Sequence, residues 1–256
     1  MSYCFAAPAY ANSVPLSQFI PAVCPGARLI LDLPSRLAAP LADGRIDAAL
    51  IPVAALFGRP DLAFIEGTGI CACRKVRSVL LKCRRPLDEV RTVNLDPASR
   101  TSNALALILL RDHWKRRVEV VPRDDAAPAD AAVVIGDRAL REPPAPGGDL
   151  DLTDHWNRMT GLPFVFAVWA VRSNHPAPRE LGRVIEAAKR AGVAALPDIV
   201  REQAAKLGLT EAVCREYFSE CIYYDMGPRE LEAMDRFRAL AGTLTEAGAL
   251  KGTETL

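Results

Sequence analysis

Thr92-Val-Asn-Leu-Asp-Pro-Ala-Ser-Arg-Thr-Ser102, followed at once by the apolar run Ala104 to Leu110, decides how this chain is read. Thr92 to Leu95 reads as a short strand, and Ser102 to Lys115 reads as a helix. A strand that ends in small hydroxyl residues opening a helix aims free backbone N–H groups and the positive end of the helix dipole at one point. That is a place for an anion, with Ser99, Thr101 and Ser102 as hydroxyl donors and Arg100 as a charge or planar fork for a carboxylate. The same letters also read as a helix N-cap, worth about 1 kcal/mol to the helix and nothing to function. From this segment alone the cap is the simpler reading.

Outward from this segment, apolar runs of strand length recur between helical patterns. Ala48 to Val53, Ser78 to Lys82, Ala131 to Ile135 and Phe164 to Val171 read as strands, with Leu16 to Ile20 and Leu37 to Ala42 as helices. This alternation predicts an α/β fold. From Arg179 onward helix follows helix, at Pro178 to Ala191, Pro197 to Lys206, Thr210 to Cys221 and Pro228 to Ala241, each opening at Pro or Thr. The C-terminal third is therefore expected to be a helical layer packed on the sheet. Pro122 to Ala129 and Arg141 to Gly148 read as surface loops.

Composition narrows the function. At 256 residues and roughly 150 residues per domain, the chain makes one large domain or two small lobes. Lys plus Arg number 32 against 31 for Asp plus Glu, a net charge of +1, so the basic field that nucleic-acid binding needs is missing. No apolar run approaches the ~18 residues of a membrane span. Met1 to Phe5 lacks the basic and apolar regions of a secretory signal, and the expected location is the cytoplasm. The cysteines (Cys4, Cys24, Cys71, Cys73, Cys83, Cys214, Cys221) show no Cys-x-x-Cys pair and no histidine at zinc-finger spacing, and read as small buried thiols rather than a metal site.

Two further segments carry polar groups to the ends of elements. Ala11-Asn12-Ser13-Val14-Pro15-Leu16 presents Asn12, both donor and acceptor, ahead of a helix, with capping as the alternative reading. Asp154-His-Trp156 leads to Met159-Thr160-Gly161-Leu-Pro-Phe164, a turn able to place Thr160 at a cleft edge. His113 and His175 read as surface residues, and the basic run Arg111 to Arg117 as a solvated helix face. His155 is the one histidine near a candidate cleft, weighed as an acid or base against a plain structural role. Gly-x-Ser-x-Gly, phosphate-loop and Gly-x-Gly-x-x-Gly patterns are absent.

Taken in order, these pieces resemble the chorismate dehydratases of the futalosine route to menaquinone. The matching segments are Asn12-Ser-Val-Pro-Leu16, Gly44 to Pro52, Val76-Arg-Ser78-Val-Leu-Leu81, Leu95 to Ser102, Ile135-Gly-Asp137, Asp154-His-Trp156, Thr160 to Trp169 and, more weakly, Tyr223-Tyr-Asp-Met-Gly227. The resemblance implies a type 2 periplasmic-binding-protein-like fold, two α/β lobes around a cleft, with 1–92 and 172–256 forming one lobe and 93–171 the other. It implies loss of water from chorismate, a small dicarboxylate, to give 3-[(1-carboxyvinyl)oxy]benzoate. That reaction aromatises the ring and calls for no metal or redox cofactor.

By the same resemblance Asn12 is a catalytic or orienting group, and Ser78, Ser99, Thr101 and Ser102 contact substrate, with Arg100, Thr160 and Gly161 as further binding residues. Strand alternation turns either Ser78 or Arg77 to the cleft and leaves open which. The chain departs from the family pattern at Arg74-Lys75, where a glycine is common before the Val-x-Ser-Val strand, and its first strand is brief, starting at Met1. Two rival readings stand beside this one: the sister enzyme 1,4-dihydroxy-6-naphthoate synthase, and a non-catalytic cytosolic sensor that closes on a small carboxylate.

Overall fold

In a computed structural model that describes residues 3–124 and 127–246, the strands are β1 (Cys4–Pro8), β2 (Arg28–Asp32), β3 (Ala48–Pro52), β4 (Leu62–Ala72), β5 (Val79–Cys83) and β6 (Thr92–Asn94), followed by β7 (Glu119–Val120), β8 (Ala131–Ile135), β9 (Asp149–Asp151), β10 (Phe164–Arg172) and β11 (Tyr223–Asp225). They form a six-stranded sheet ordered β11-β4-β10-β3-β1-β2 and a five-stranded sheet ordered β7-β6-β8-β5-β9. β1 and β3 are buried at every position, as their unbroken apolar sequences Cys-Phe-Ala-Ala-Pro and Ala-Ala-Leu-Ile-Pro require of parallel strands covered on both faces. The sheets flank a shared core in which Phe5, Trp156, Phe164, Trp169, Tyr217 and Phe237 are fully buried.

The α/β expectation holds, but the chain changes sheets elsewhere than at 92/93 and 171/172. β5 already belongs to the second sheet, because it pairs antiparallel with β8 and β9. β10 belongs to the first, where it runs antiparallel between β3 and β4. The crossings therefore fall between Ala72 and Val79 and between Asp151 and Phe164. Strand pairing decides these points, and no local composition marks them.

The C-terminal third is not purely helical. Its helices, Pro178–Ala194, Leu196–Leu207, Glu211–Glu216 and Pro228–Glu246, are interrupted by β11, which joins the edge of the first sheet against β4. The long strand β4, with glycines at 67 and 69, the strands β2, β7 and β9, and the helices Gly136–Arg141 and Leu152–Thr160 are among the elements that the sequence patterns did not delimit. His175 is buried rather than superficial. Its Nε2 lies 3.1 Å from Asp47 Oδ1, and its Nδ1 accepts from Ala177 N–H, an arrangement that hides a histidine by satisfying both ring nitrogens. Cys73 is exposed and Cys24 half-buried, whereas the other five thiols are buried as expected. The basic run at 111–117 is not a simple solvated face: Arg111 is half-buried and paired with Asp112, and the helix ends at Trp114. Met1 and Ser2, where the first strand was expected to begin, and 125–126 of the loop expected at 122–129 lie outside the described residues. No described helix is long and apolar enough to cross a membrane.

Candidate active site

Between the sheets lies a cavity of about 60 Å³. Its apolar walls come from both sheets, with Pro8, Pro52, Ile70 and Phe166 on one side and Val79 and Ile135 on the other. The polar lining is Tyr10, Asn12, Ser78, Ser99 and Ser102.

Each of these side chains arrives by a local device. Asn12 sits in the single 3₁₀ turn Ala11–Ser13 just beyond β1. There Ser13 Oγ bonds back to Tyr10 O at 2.7 Å, and Ala11 N–H donates to Asp137 Oδ1 across the cleft at 3.1 Å. The Asn-Ser pair thus divides its labour, Ser13 closing the turn while Asn12 faces the cavity.

The choice between Arg77 and Ser78 is made by one carboxylate. Asp151 accepts from Val76 N–H at 2.9 Å and Arg77 N–H at 2.7 Å, and it also caps the helix Leu152–Thr160 through Thr153 and Asp154 N–H. Held this way, Arg77 takes a left-handed φ of 62°, its guanidinium reaches out to Glu216, and buried Ser78 turns inward. Burial raises the Asp151 carboxyl, against the four amides that favour its charge.

At the helix Arg100–Ile108 the cap is present, and the capping residues also line the cavity. Ser99 Oγ accepts from Ser102 N–H at 3.1 Å and donates to Ser102 Oγ at 2.9 Å, while both residues line the cavity. Thr101 lies behind them, fully buried, its Oγ1 accepting from Ala54 N–H at 3.1 Å and tying the two sheets together. Arg100 is exposed, beside an adjoining hollow that shares Pro34 and Pro52 with the cavity.

Thr160 and Gly161 belong to the end of a helix. Thr160 Oγ1 donates to Trp156 O at 2.8 Å and accepts from Leu162 N–H, and Gly161 ends the helix at φ 73°; neither is among the residues that line the cavity. Arg74 and Lys75 are exposed on the bend before Val76. His155 also turns away from the cavity: its Nδ1 lies 3.2 Å from His113 Nε2 and accepts from Trp114 Nε1 at 3.3 Å. Burial lowers both imidazoles.

The residue that sequence patterns missed is Tyr217. It begins the π turn Tyr217–Cys221, is fully buried, and donates its phenol to Ser78 Oγ at 2.9 Å. Burial pushes Tyr217 up, so it stays protonated. Nothing in the helical pattern of Thr210 to Cys221 distinguishes it from a core aromatic. Tyr10, the one titratable residue lining the cavity, is likewise raised by burial, and it lies by Gly136, whose φ of +62°, with the Tyr10 ring only 3.3 Å from where a Cβ would sit, suits glycine.

Two sheets flanking a cleft define a periplasmic-binding-protein-like fold, and solved structures agree. An Archaeoglobus fulgidus protein superposes with a TM-score of 0.72 at 15% identity, covering 96% of this chain and 98% of its own. The alkanesulfonate-binding protein SsuA from Xanthomonas axonopodis pv. citri, bound to MOPS, superposes with a TM-score of 0.68 at 13% identity, covering 97% and 94%. Within that class the chain belongs to the menaquinone biosynthesis family, whose model matches residues 5–243. It is 28% identical to a chorismate dehydratase of Thermus thermophilus, over 90% of this chain and 92% of the relative, and 31% identical to one of Campylobacter jejuni, over 80% and 79%.

Proposed function

We propose that this protein is a chorismate dehydratase, a carbon–oxygen lyase acting in the cytoplasm. The observation that carries the reading is the convergence of Asn12, Ser78, Ser99 and Ser102, from three separate parts of the chain, on one cavity in a member of the menaquinone biosynthesis family. Its similarity to chorismate dehydratases of two organisms supports the same reaction.

The chemistry is redox-neutral. The C3–H bond breaks, its electron pair forms the last ring double bond, and the C4–O bond breaks with the oxygen leaving as water. Aromatisation drives the step, so the protein's task is to hold a dicarboxylate in a reactive pose. In our reading the ring carboxylate lies at the start of the helix Arg100–Ile108, met by Ser99, Ser102 and backbone N–H groups. Asn12 orients the enolpyruvyl carboxylate over C3, and that carboxylate takes the proton and delivers it to the departing C4 oxygen, so that water leaves. A base carried by the substrate accords with a lining whose only titratable side chain is a Tyr10 phenol raised by burial. Ser78, held by Tyr217, contacts the substrate beside Asn12.

Purified protein incubated with chorismate is expected to form the aromatic enolpyruvyl ether, followed by chromatography with mass detection. Asn12→Ala is expected to lower turnover by about a hundredfold or more while chorismate still binds. Saturable binding without turnover by the wild type points instead to a sensor. Neither binding nor turnover favours the sister enzyme.

A further inference from the structure

The first sheet ends on one side at β2, and this edge is unlike the others in the molecule. β2 is five residues long, whereas the opposite edge of the same sheet is the three-residue β11, and the second sheet ends at β7, two residues, and β9, three. Short edges resist pairing with other chains, and long apolar edges invite it. Three of the four large hydrophobic side chains exposed among the described residues lie on or next to this strand: Ile30 at 40%, Leu31 at 56% and Leu33 at 41%.

The hydrogen-bonding phase of the strand is set by β1. Arg28 N–H donates to Tyr3 O, and Asp32 O accepts from Ala9 N–H, so Arg28, Ile30 and Asp32 direct their backbone groups inward to β1. In a parallel ladder the alternate residues, Leu29 and Leu31, direct theirs to the open edge. Their outward N–H and C=O groups meet no partner among the described residues.

We propose that a second copy of this chain docks here, the two β2 strands pairing antiparallel about a two-fold axis through Ile30. In that register Leu29 of one copy faces Leu31 of the other as a hydrogen-bonded pair. The two such pairs satisfy all eight outward backbone groups' geometry in four N–H···O bonds. Ile30 meets Ile30, and Arg28 faces Asp32 at both ends of the ribbon, because Arg-Leu-Ile-Leu-Asp is self-complementary in charge when reversed. Arg28 forms no ion pair among the described residues, while Asp32 already holds Leu33 N–H at 2.7 Å and lies 3.7 Å from Arg36. The pairing is isologous and closes at two copies, since each chain uses its single long edge. The two six-stranded sheets then continue across the axis.

The test is sedimentation velocity on the full chain over a concentration series. The wild type is expected to sediment as a dimer. Arg28→Asp opposes like charges at both ends and is expected to weaken association by about tenfold or more. Combining it with Asp32→Arg restores opposite charges in the same register, and is expected to restore the dimer. Leu31→Pro removes an outward N–H without touching the β1 ladder and is expected to give a monomer with unchanged circular dichroism. A wild type that stays monomeric across the series overturns the proposal, as does a dimer that ignores both Arg28→Asp and Leu31→Pro.

Discussion

Tyr217 donates a 2.9 Å hydrogen bond to Ser78 from 139 residues away in the chain. One buried hydroxyl therefore anchors a polar group that lines the cavity. Tyr217→Phe keeps the ring and deletes that link, so it is expected to cost about 1 kcal/mol of stability. Its larger effect falls on turnover of chorismate, with kcat reduced by about tenfold and KM changed little, because Ser78 loses its anchor. Ser78→Ala combined with Tyr217→Phe is expected to be no worse than the more damaging single change, since both remove one interaction. Steady-state kinetics of the three variants check this.

Asp151 is a second positioning residue, one step removed from the cavity. Asp151→Ala removes a helix cap and strips the partner from Val76 and Arg77 N–H. A lost cap and two amides deprived of their acceptor together are expected to cost about 3 kcal/mol, read from urea denaturation. Without that carboxylate the left-handed backbone at Arg77 is unsupported, and activity is expected to fall more than in an Arg77→Ala variant, which keeps both amide bonds.

Gly192 lies within the helix Pro178–Ala194 where it crosses Pro15, immediately after the turn that carries Asn12. A Cβ there would come within 1.9 Å of Pro15 O. Alanine gains roughly 0.5–1 kcal/mol of helix propensity, but a backbone clash of this size costs about 1–3 kcal/mol or more. Gly192→Ala is therefore expected to be a net destabilisation in thermal unfolding, and to lower turnover by shifting the Asn12 turn.

Acid sensitivity is expected to trace in part to His155. Burial lowers its imidazole from 6.5, with His113 and Arg158 adding to the effect. A base whose pKa is lower in the folded state binds its proton preferentially in the unfolded chain. The stability it contributes is thus present above about pH 6.5 and is lost as the pH falls toward its folded pKa. His155→Phe is expected to flatten the decline in urea midpoint between about pH 7 and pH 5. At pH 8 the same variant is expected to be less stable by about 1 kcal/mol, because Trp114 Nε1 loses its acceptor.

The site was partly legible before the structure. Ser99 and Ser102 are written plainly at a strand-to-helix turn, because an N-cap is a local event with a local code. Asn12 follows the same logic at the turn after β1. Thr160 and Gly161 carry an equally local signal, a helix stop, and they lie outside the residues that line the cavity. Arg100 lies beside the cavity rather than in it, since cap position does not dictate where the next side chain points. His175 read as superficial because burial of a histidine depends on Asp47, 128 residues away.

The chain's own chemistry settles the buried strands β3, β5, β8 and β10, the capped helices and the order of polar turns, because periodicity and capping act over a few residues. Only the assembled fold decides that β10 returns to the first sheet, that β11 breaks the helical layer, that Asp151 turns Ser78 inward, and that Tyr217 meets it. Those outcomes depend on which distant segment fills a given space and satisfies a given donor. Neighbouring letters carry no record of such partners.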